Sequence, residues 1–326
     1  MSGAAGGRAI IAPVPSGTGR PRWSVMIPTY NCASHLRATL ASVLCQDLGP
    51  DAMQIEVVDD ASDRDDPRAV VEEIGRGRVA FYRQPRNLGH INNFATCLER
   101  SRGEIVHLLH GDDLVLPGFY AALSKGFDAD PDIGAVFCRW MLIDDLGRTK
   151  EIAEAEQDEA GPLPDALARL ASEQRIVTPA IAVRRSTWEA LGGFDPRLLC
   201  SEDWEMWVRI AAHYPVWYEP APLAAYRTHG NSNTGRHLRM ADELHYSALA
   251  MEIFRPLLPP DRRRAILRQA RLAYAHSALR NARCFADVGD REAMRAHLKA
   301  ALKLSRSPHI WRRAASIALN RARMAG

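Results

Sequence analysis

Asp112 and Asp113 stand side by side where the apolar run of "EIVHLLHGDD" (104–113) stops at Gly111. Adjacent carboxylates raise one another's pKa unless water reaches both or a cation sits between them. The pair is therefore either a solvated helix cap or the holder of a cation. A hard divalent ion such as Mg²⁺ or Mn²⁺ takes oxygen ligands, and Mg²⁺ is commonly held by one or two carboxylates plus phosphate oxygens of a substrate. Two further acid pairs are Asp59–Asp60 in "VVDDAS" and Glu202–Asp203 in "CSEDWEMW". A carboxylate at a strand end, such as Asp60, can accept the imide N–H of uracil or can bond the backbone of the Ser62–Asp63 turn. Glu202 and Asp203 fall in the first turn of a helix, where the macrodipole favours acids whatever their task. Asp203 is one turn ahead of Trp207 on the same face, toward a pocket partly walled by aromatics; Trp204 and Trp207 themselves read as core.

The elements that must position these acids are short. From Trp23 to Leu109, β-branched apolar runs alternate with helix-period segments, the signature of βαβ units around a mostly parallel sheet. "WSVMIPTY", "QIEVVDD", "VAFYRQ" and "EIVHLL" are its strands. "SHLRATLASVLCQ", with Ser34 as N-cap, "RAVVEEIG" and "HINNFATCLERSRG" are its helices. Ligands on such sheets bind at the carboxyl ends of the strands, where the acids fall. Further on, "LPGFYAALSKGFDADP" reads as a helix and "GAVFCRWMLID" as a strand with an antiparallel partner. Residues 149–164 have no period and read as a mobile loop. "AIAVRRSTWEALGGF" gives a strand and a helix capped by Ser186, and "VWYEPAPLAAYRTH" two extended pieces broken by prolines. Beyond Leu238 the chain is all helix, with a hairpin turning at Gly289.

At 326 residues, 47% hydrophobic and 25% charged, this is an ordinary globular composition with room for about two domains. The six cysteines are scattered, with no pair at zinc or redox spacing, which suits reduced thiols in a cytoplasmic protein. No segment approaches the roughly 18 apolar residues of a membrane span. The Gly/Pro-rich residues 1–20 read as a disordered leader, not a secretory signal. The net charge of +3 conceals an asymmetry: residues 238–326 carry 18 Lys and Arg against 7 Asp and Glu, leaving −8 on residues 1–237. In the last helix Ile310, Trp311, Ala314 and Ile317 fall near one face, with Arg312, Arg313, Arg321 and Arg323 around it. Such a helix can lie on anionic lipid or pack against the acidic body.

Five motifs in order, "PTYN" (28–31), "VVDDAS" (57–62), "NLGHINN" (87–93), "HGDD" (110–113) and "GGFDPRLLCSEDWEMWVRI" (192–210), resemble those of family 2 glycosyltransferases over about residues 21–237. The resemblance implies the GT-A fold: an α/β nucleotide-binding, mostly parallel sheet flanked by helices. Residues 238–326 would then be a basic all-α extension. It implies an inverting, metal-dependent transfer of a sugar from a nucleoside diphosphate sugar, with UDP as the expected carrier, to a hydroxyl of a glycan or lipid-linked glycan, with no nucleic-acid partner. Pro28, Thr29, Tyr30, Asp60, Asn87, Gly89 and Asp112 would line the nucleotide sugar. Asp113 would hold Mn²⁺ or Mg²⁺, and Asp203 matches the catalytic base. His229, in a Tyr-Arg-x-His ending, would close over the diphosphate and metal. Two other classes share the core: a silent nucleotide-sugar binding protein, which would bind without turnover, and a sugar nucleotidyltransferase. The latter would want a Gly-rich basic loop where "PTYNCASH" stands.

Overall fold

The structure, a computed structural model, describes residues 7–228 and 238–322. Its first elements are β1 (Trp23–Thr29), α1 (Ala33–Leu44), β2 (Met53–Asp59), α2 (Pro67–Gly75), β3 (Ala80–Arg83), α3 (His90–Arg100) and β4 (Ile105–Leu108). The four strands lie parallel in the order β3-β2-β1-β4. Every residue of β1 and β2 is buried, so these strands are covered on both faces and read as continuous apolar runs instead of alternating ones. Register places Thr29 opposite Asp59, while Met26 pairs Leu108 on the other side of β1. The segments after β1, β2 and β4 therefore leave the sheet at one edge, and three of the motifs sit there.

β5 (Leu114–Val115), α4 (Phe119–Ala129), β6 (Ala135–Ile143), β7 (Thr149–Ile152), β8 (Gly161–Pro162), α5 (Ala166–Ser172), β9 (Ile181–Arg184), α6 (Arg185–Leu191), α7 (Glu202–Ala211) and β10 (Val216–Arg227) follow. β9 runs antiparallel between β4 and β6, and β10 lies parallel to β6. The proline-containing stretch expected as two pieces is one strand, because register shifts at Glu219–Pro222 and Pro222–Ala224 absorb the prolines. Within the expected mobile loop 149–164, β7 and β8 satisfy backbone groups of β6 and β10, each adding an antiparallel partner.

Three local expectations are corrected. Helix α1 begins at Ala33 without a side-chain cap from Ser34, because the Ala33 N–H donates to the Asp65 carboxylate at 2.7 Å. Helix α6 already includes Ser186; its start is anchored by buried Arg185, whose guanidinium donates to Leu98 O, Ser101 Oγ and Ala12 O. The described part of the leader is fixed: Ile11 is buried, the Ala9 carbonyl accepts the Gly193 N–H, and Arg8 pairs with Asp195.

The C-terminal helices are α8 (Asp242–Phe254), α9 (Arg263–Asp287), α10 (Arg291–Leu304) and α11 (Pro308–Ala322). Gly289, at φ 89°, makes the expected turn, and the Asp290 carboxylate then caps α10 by accepting the Ala293 N–H. Ala275, Ala278, Leu279 and Ala282 of α9 pack in one core with Met294, Ala301, Ile310, Ala314 and Ile317. The apolar stripe of α11 that could have faced lipid is thus the inward face of this helical core; Trp311 stays half exposed. Among the described residues no helix is long and apolar enough to cross a membrane.

The described chain divides into two compact units. The first comprises residues 7–166, 176–197 and 209–228, and the second residues 167–175, 198–208 and 238–322. Two short pieces from the middle of the sequence therefore belong with the helices. Trp204, on the second of these pieces, packs edge-on to Phe254 and tilted against Tyr274, both at 5.0 Å between ring centroids.

Candidate active site

Asp59 and Asp60 do opposite things at the end of β2. Asp59 is fully buried and accepts from the Ser62 N–H and hydroxyl, with Arg83 Nη1 at 3.0 Å from its other oxygen. The turn-forming role that the sequence left open for Asp60 thus belongs to its neighbour. Asp60 instead accepts the Leu88 N–H at 2.7 Å and the Gly89 N–H at 3.0 Å, one on each oxygen. Burial raises its pKa against the pull of these two donors. Each carboxylate oxygen retains a further lone pair, so an imide N–H can still be accepted.

The first motif is stitched to the second. Asn31 Oδ1 accepts the Asp63 and Arg64 N–H groups at 3.0 Å, and its own N–H donates to Ser62 Oγ at 2.8 Å. Asn31 therefore ties two loops together and does not cap α1. Tyr30 is half-buried, its hydroxyl 3.5 Å from Asp63 Oδ1. Thr29 is buried and its carbonyl accepts the Asp60 N–H. The Pro28 carbonyl accepts the Gly111 N–H at 3.1 Å. A Cβ at Gly111 would lie 2.7 Å from Thr29 Oγ1 and 2.9 Å from Cys32 Sγ, so only glycine lets the fourth motif abut the first. At Gly89 the reason differs: a Cβ there meets nothing within 4 Å, and φ of 82° is what calls for glycine. Asn87 is exposed and its Oδ1 accepts the Gly89 N–H at 3.1 Å.

Asp113 is fully buried. Its Oδ1 accepts the backbone N–H of Arg227 at 2.8 Å, while its Oδ2 is buried and, among the described residues, meets no hydrogen-bond donor. Burial, then the charge of Asp112, holds its pKa well above the carboxylate range. One ligand atom each from His110, Asp112 and Asp113 lies within 4.8 Å of the others. A buried, unsatisfied carboxylate oxygen beside a second carboxylate and an imidazole is a donor set that a divalent cation fits. His110 was not among the residues selected from the sequence, although it stands in the quoted "HGDD"; its Nδ1 lies 3.7 Å from Asp113 Oδ2. Its ring stacks on Phe94 at 5.1 Å and 12°. Arg227 likewise carries no signal of its own in the sequence. Its buried guanidinium donates to the carbonyls of Asp112, Asp144 and Asp145, which fixes the loop that carries the acids.

Asp203 belongs to the other compact unit, in the first turn of α7. It is half-buried; Oδ1 accepts the Trp204 N–H at 2.7 Å and Oδ2 accepts Gln174 Nε2 at 2.8 Å. Burial, with Glu202 adding to it, pushes its pKa up to about 8. That places its proton near the working range of a general base. Trp204 and Trp207 are buried, as core residues. His229 lies outside the described residues. Eight of the ten residues selected from the sequence thus fall in the first unit, around the strand ends.

Residues 24–188 match the family model described as Glycosyl transferase family 2. An uncharacterized protein of Mycobacterium tuberculosis is 32% identical over 228 residues, which cover 67% of this chain and 70% of that protein. Among solved structures, S. aureus TarS 1–349 in complex with UDP-GlcNAc superposes with a TM-score of 0.67 at 16% identity, covering 86% of this chain and 79% of that one. The mannosyltransferase PcManGT from Pyrobaculum calidifontis, in complex with GDP-Man and Mn²⁺, gives 0.59 at 23% identity, covering 97% and 83%. The two structural likenesses speak for the fold, which is the GT-A fold of a mixed sheet flanked by helices. With a family match that spans half of its length and motifs gathered at the strand ends, the chain belongs to glycosyl transferase family 2.

Proposed function

We propose that this glycosyltransferase moves a sugar from a nucleoside diphosphate sugar, with uridine as the nucleoside, onto a hydroxyl of a glycan or lipid-linked glycan, with inversion. The observation that carries the reading is the buried Oδ2 of Asp113, without a donor among the described residues, beside Asp112 and His110. These residues would hold Mn²⁺ or Mg²⁺, with His229 a further candidate. Such an ion supplies Lewis-acid stabilisation of the diphosphate leaving group, so no protein acid is needed for departure. The chain's own residues do the rest. The Asp60 carboxylate, already fixed by the Leu88 and Gly89 N–H groups, accepts the imide N–H of the nucleobase. Pro28, Thr29, Tyr30, Asn87 and Gly89 line the nucleotide, and Asp112 faces the ribose or sugar. Asp203 takes the proton of the acceptor hydroxyl as that oxygen attacks the anomeric carbon, and the single displacement inverts the centre.

Residues 21–237 form the transferase region and 238–326 its basic helical extension, in a cytoplasmic protein of cell-surface glycan assembly whose basic helices can meet an anionic membrane. TarS was solved with UDP-GlcNAc and PcManGT with GDP-Man and Mn²⁺, which supports a nucleotide-sugar donor of this kind. The test is a panel of UDP- and GDP-linked sugars incubated with the protein and Mn²⁺, followed for slow hydrolysis. Turnover of a UDP-sugar is expected. Binding without turnover across the panel would leave a silent binding protein, and preference for a GDP-sugar would remove the uridine assignment.

A further inference from the structure

The second compact unit contains a polar chain that ends on Asp203. Tyr274, in the middle of α9, directs its hydroxyl to Oε1 of Gln174 at 3.4 Å. The other end of that amide donates from Nε2 to Oδ2 of Asp203 at 2.8 Å. The three residues are far apart in sequence and come from three segments: the stretch after α5, the first turn of α7, and a C-terminal helix. The aromatic packing around them is tight. Trp204, next to Asp203, lies against the Tyr274 ring, and its indole N–H donates to the Leu170 carbonyl at 2.7 Å.

We propose that Gln174 and Tyr274 are positioning residues that aim Asp203 and favour its carboxylate form, so that the C-terminal helices take part in catalysis. This inference rests on the reading of Asp203 as the base. An amide can turn either its oxygen or its nitrogen toward a carboxyl group, and the two choices favour opposite protonation states. With the oxygen toward Asp203, the amide accepts from the protonated acid and stabilises the form that cannot act as a base. With the nitrogen toward Asp203, it donates to the carboxylate and stabilises the form that can. Tyr274 selects the second arrangement by occupying the amide oxygen with its own O–H. Burial holds that phenol's pKa above its usual value, so it remains a donor at any working pH. The groups acting on the Asp203 charge are then Glu202, which opposes it, and the N–H donors of Trp204 and Gln174, which favour it. Glu173 and the hydroxyls of Ser201 and Ser247 act on the Tyr274 end of the chain.

The arrangement gives the helical extension a task that its distance in sequence hides. A merely structural Gln174 would join two segments, and its loss would lower stability and every activity in proportion. A positioning Gln174 must also set the pH at which the base becomes available.

The experiment uses the full chain with Mn²⁺ and the donor that the panel turns over, with water or a sugar hydroxyl as acceptor. Rates are measured from pH 6 to 10 for wild type, Gln174→Leu, Tyr274→Phe and Asp203→Asn, together with UDP affinity. Gln174→Leu should move the acid limb of kcat upward by about one pH unit, a roughly tenfold loss at pH 7 that is recovered near pH 10, with UDP affinity unchanged. Tyr274→Phe keeps the ring against Trp204 and should move the limb in the same direction by less. If Gln174→Leu does not fold, Tyr274→Phe carries the test alone. An unshifted limb in these variants, with Asp203→Asn inactive at every pH, overturns the positioning role and leaves the base in place. An Asp203→Asn protein that turns over at the wild-type rate overturns the base reading itself.

Discussion

The backbone N–H of Arg227 donates to Oδ1 of Asp113 at 2.8 Å, and the same residue's guanidinium holds the Asp112 carbonyl at 2.8 Å. One residue at the end of β10 thus fixes both members of the acidic pair. Among the described residues it leaves Asp113 Oδ2 as the oxygen without a donor. The bond to the Asp113 carboxylate comes from the main chain and survives substitution, whereas the three bonds to carbonyls do not. Arg227→Met should therefore fold less stably by about 1–3 kcal/mol, since the carbonyls of Asp112, Asp144 and Asp145 lose a charged donor. It should also bind Mn²⁺ more weakly by about tenfold, as the loop loosens. Thermal melting and Mn²⁺ titration followed by electron paramagnetic resonance read the two effects separately. Wild-type Mn²⁺ affinity in a folded variant would show that the loop does not need this buttress.

Asp113→Asn addresses the acid itself. The substitution keeps an oxygen for the Arg227 N–H but removes the negative charge, so UDP affinity measured in Mn²⁺ should drop by about tenfold or more while UDP affinity without metal changes little. Equal loss in both conditions would mean that the residue supports the nucleotide loop and not an ion. His110→Ala should act in the same direction as Asp113→Asn and more weakly, because an imidazole contributes no charge when neutral.

Asp60 joins two motifs as well as being the candidate for the base, and its loss has two readable consequences. Asp60→Ala removes the acceptor of the Leu88 and Gly89 N–H groups, which lowers stability by about 1–3 kcal/mol. Loss of a hydrogen bond to a charged group should weaken UDP binding by roughly 1.5–3 kcal/mol as well. Asp60→Asn keeps one acceptor oxygen and restores part of the first effect. Calorimetry that finds UDP binding intact in Asp60→Ala would take this residue out of the nucleotide site.

How much of this was legible depended on the distance over which each residue finds its partner. The parallel strands, Asp112–Asp113 and Asp59–Asp60 are local signals: an apolar run that stops at acids is visible in ten residues. The missed caps show the limit of that logic. Ser34 has the right type and place for an N-cap, but the open Ala33 N–H is satisfied by Asp65, 32 residues away. The pairing of Thr149–Ile152 with β6 leaves no pattern, because all four residues are exposed and both faces are free to be polar. Arg227 looks like one more arginine until the backbone carbonyls of Asp112 and Asp144 arrive beside it. Gln174 and Tyr274 are invisible for the same reason, since nothing within a turn of either points to Asp203.

The inward packing of α11 separates two accounts of the basic tail. Ile310 is fully buried in the helical core, whereas Trp311, one residue on, is half exposed. Ile310→Asp should lower the melting temperature of the helical unit sharply, by the several kcal/mol expected for an unpaired buried charge, with lipid binding lost only through unfolding. Trp311→Ala should leave the melting temperature nearly unchanged. If the tail meets an anionic surface, the same substitution should reduce sedimentation with anionic vesicles at low salt. A lipid-facing stripe through Ile310, Ala314 and Ile317 requires the reverse ranking.

Asp203 makes opposite demands on stability and on rate. Its folded pKa, pushed up to about 8, stands above the unfolded value of about 3.9, so the folded state binds this proton more tightly. The stabilisation that results is complete below the unfolded value and is lost as pH rises through about 8. Above that pH the wild type carries an ionised carboxylate in a half-buried place beside Glu202. Asp203→Asn has no such charge to accommodate. It should melt at nearly the wild-type temperature near pH 4 and several degrees higher at pH 9, while kcat falls by about 10² to 10⁴ and UDP affinity stays unchanged. The two measurements are independent, because stability needs no substrate and the rate loss needs the acceptor's proton. A variant less stable at pH 9, with all activities reduced in proportion, would show that Asp203 is there to hold the helix start and not to accept a proton.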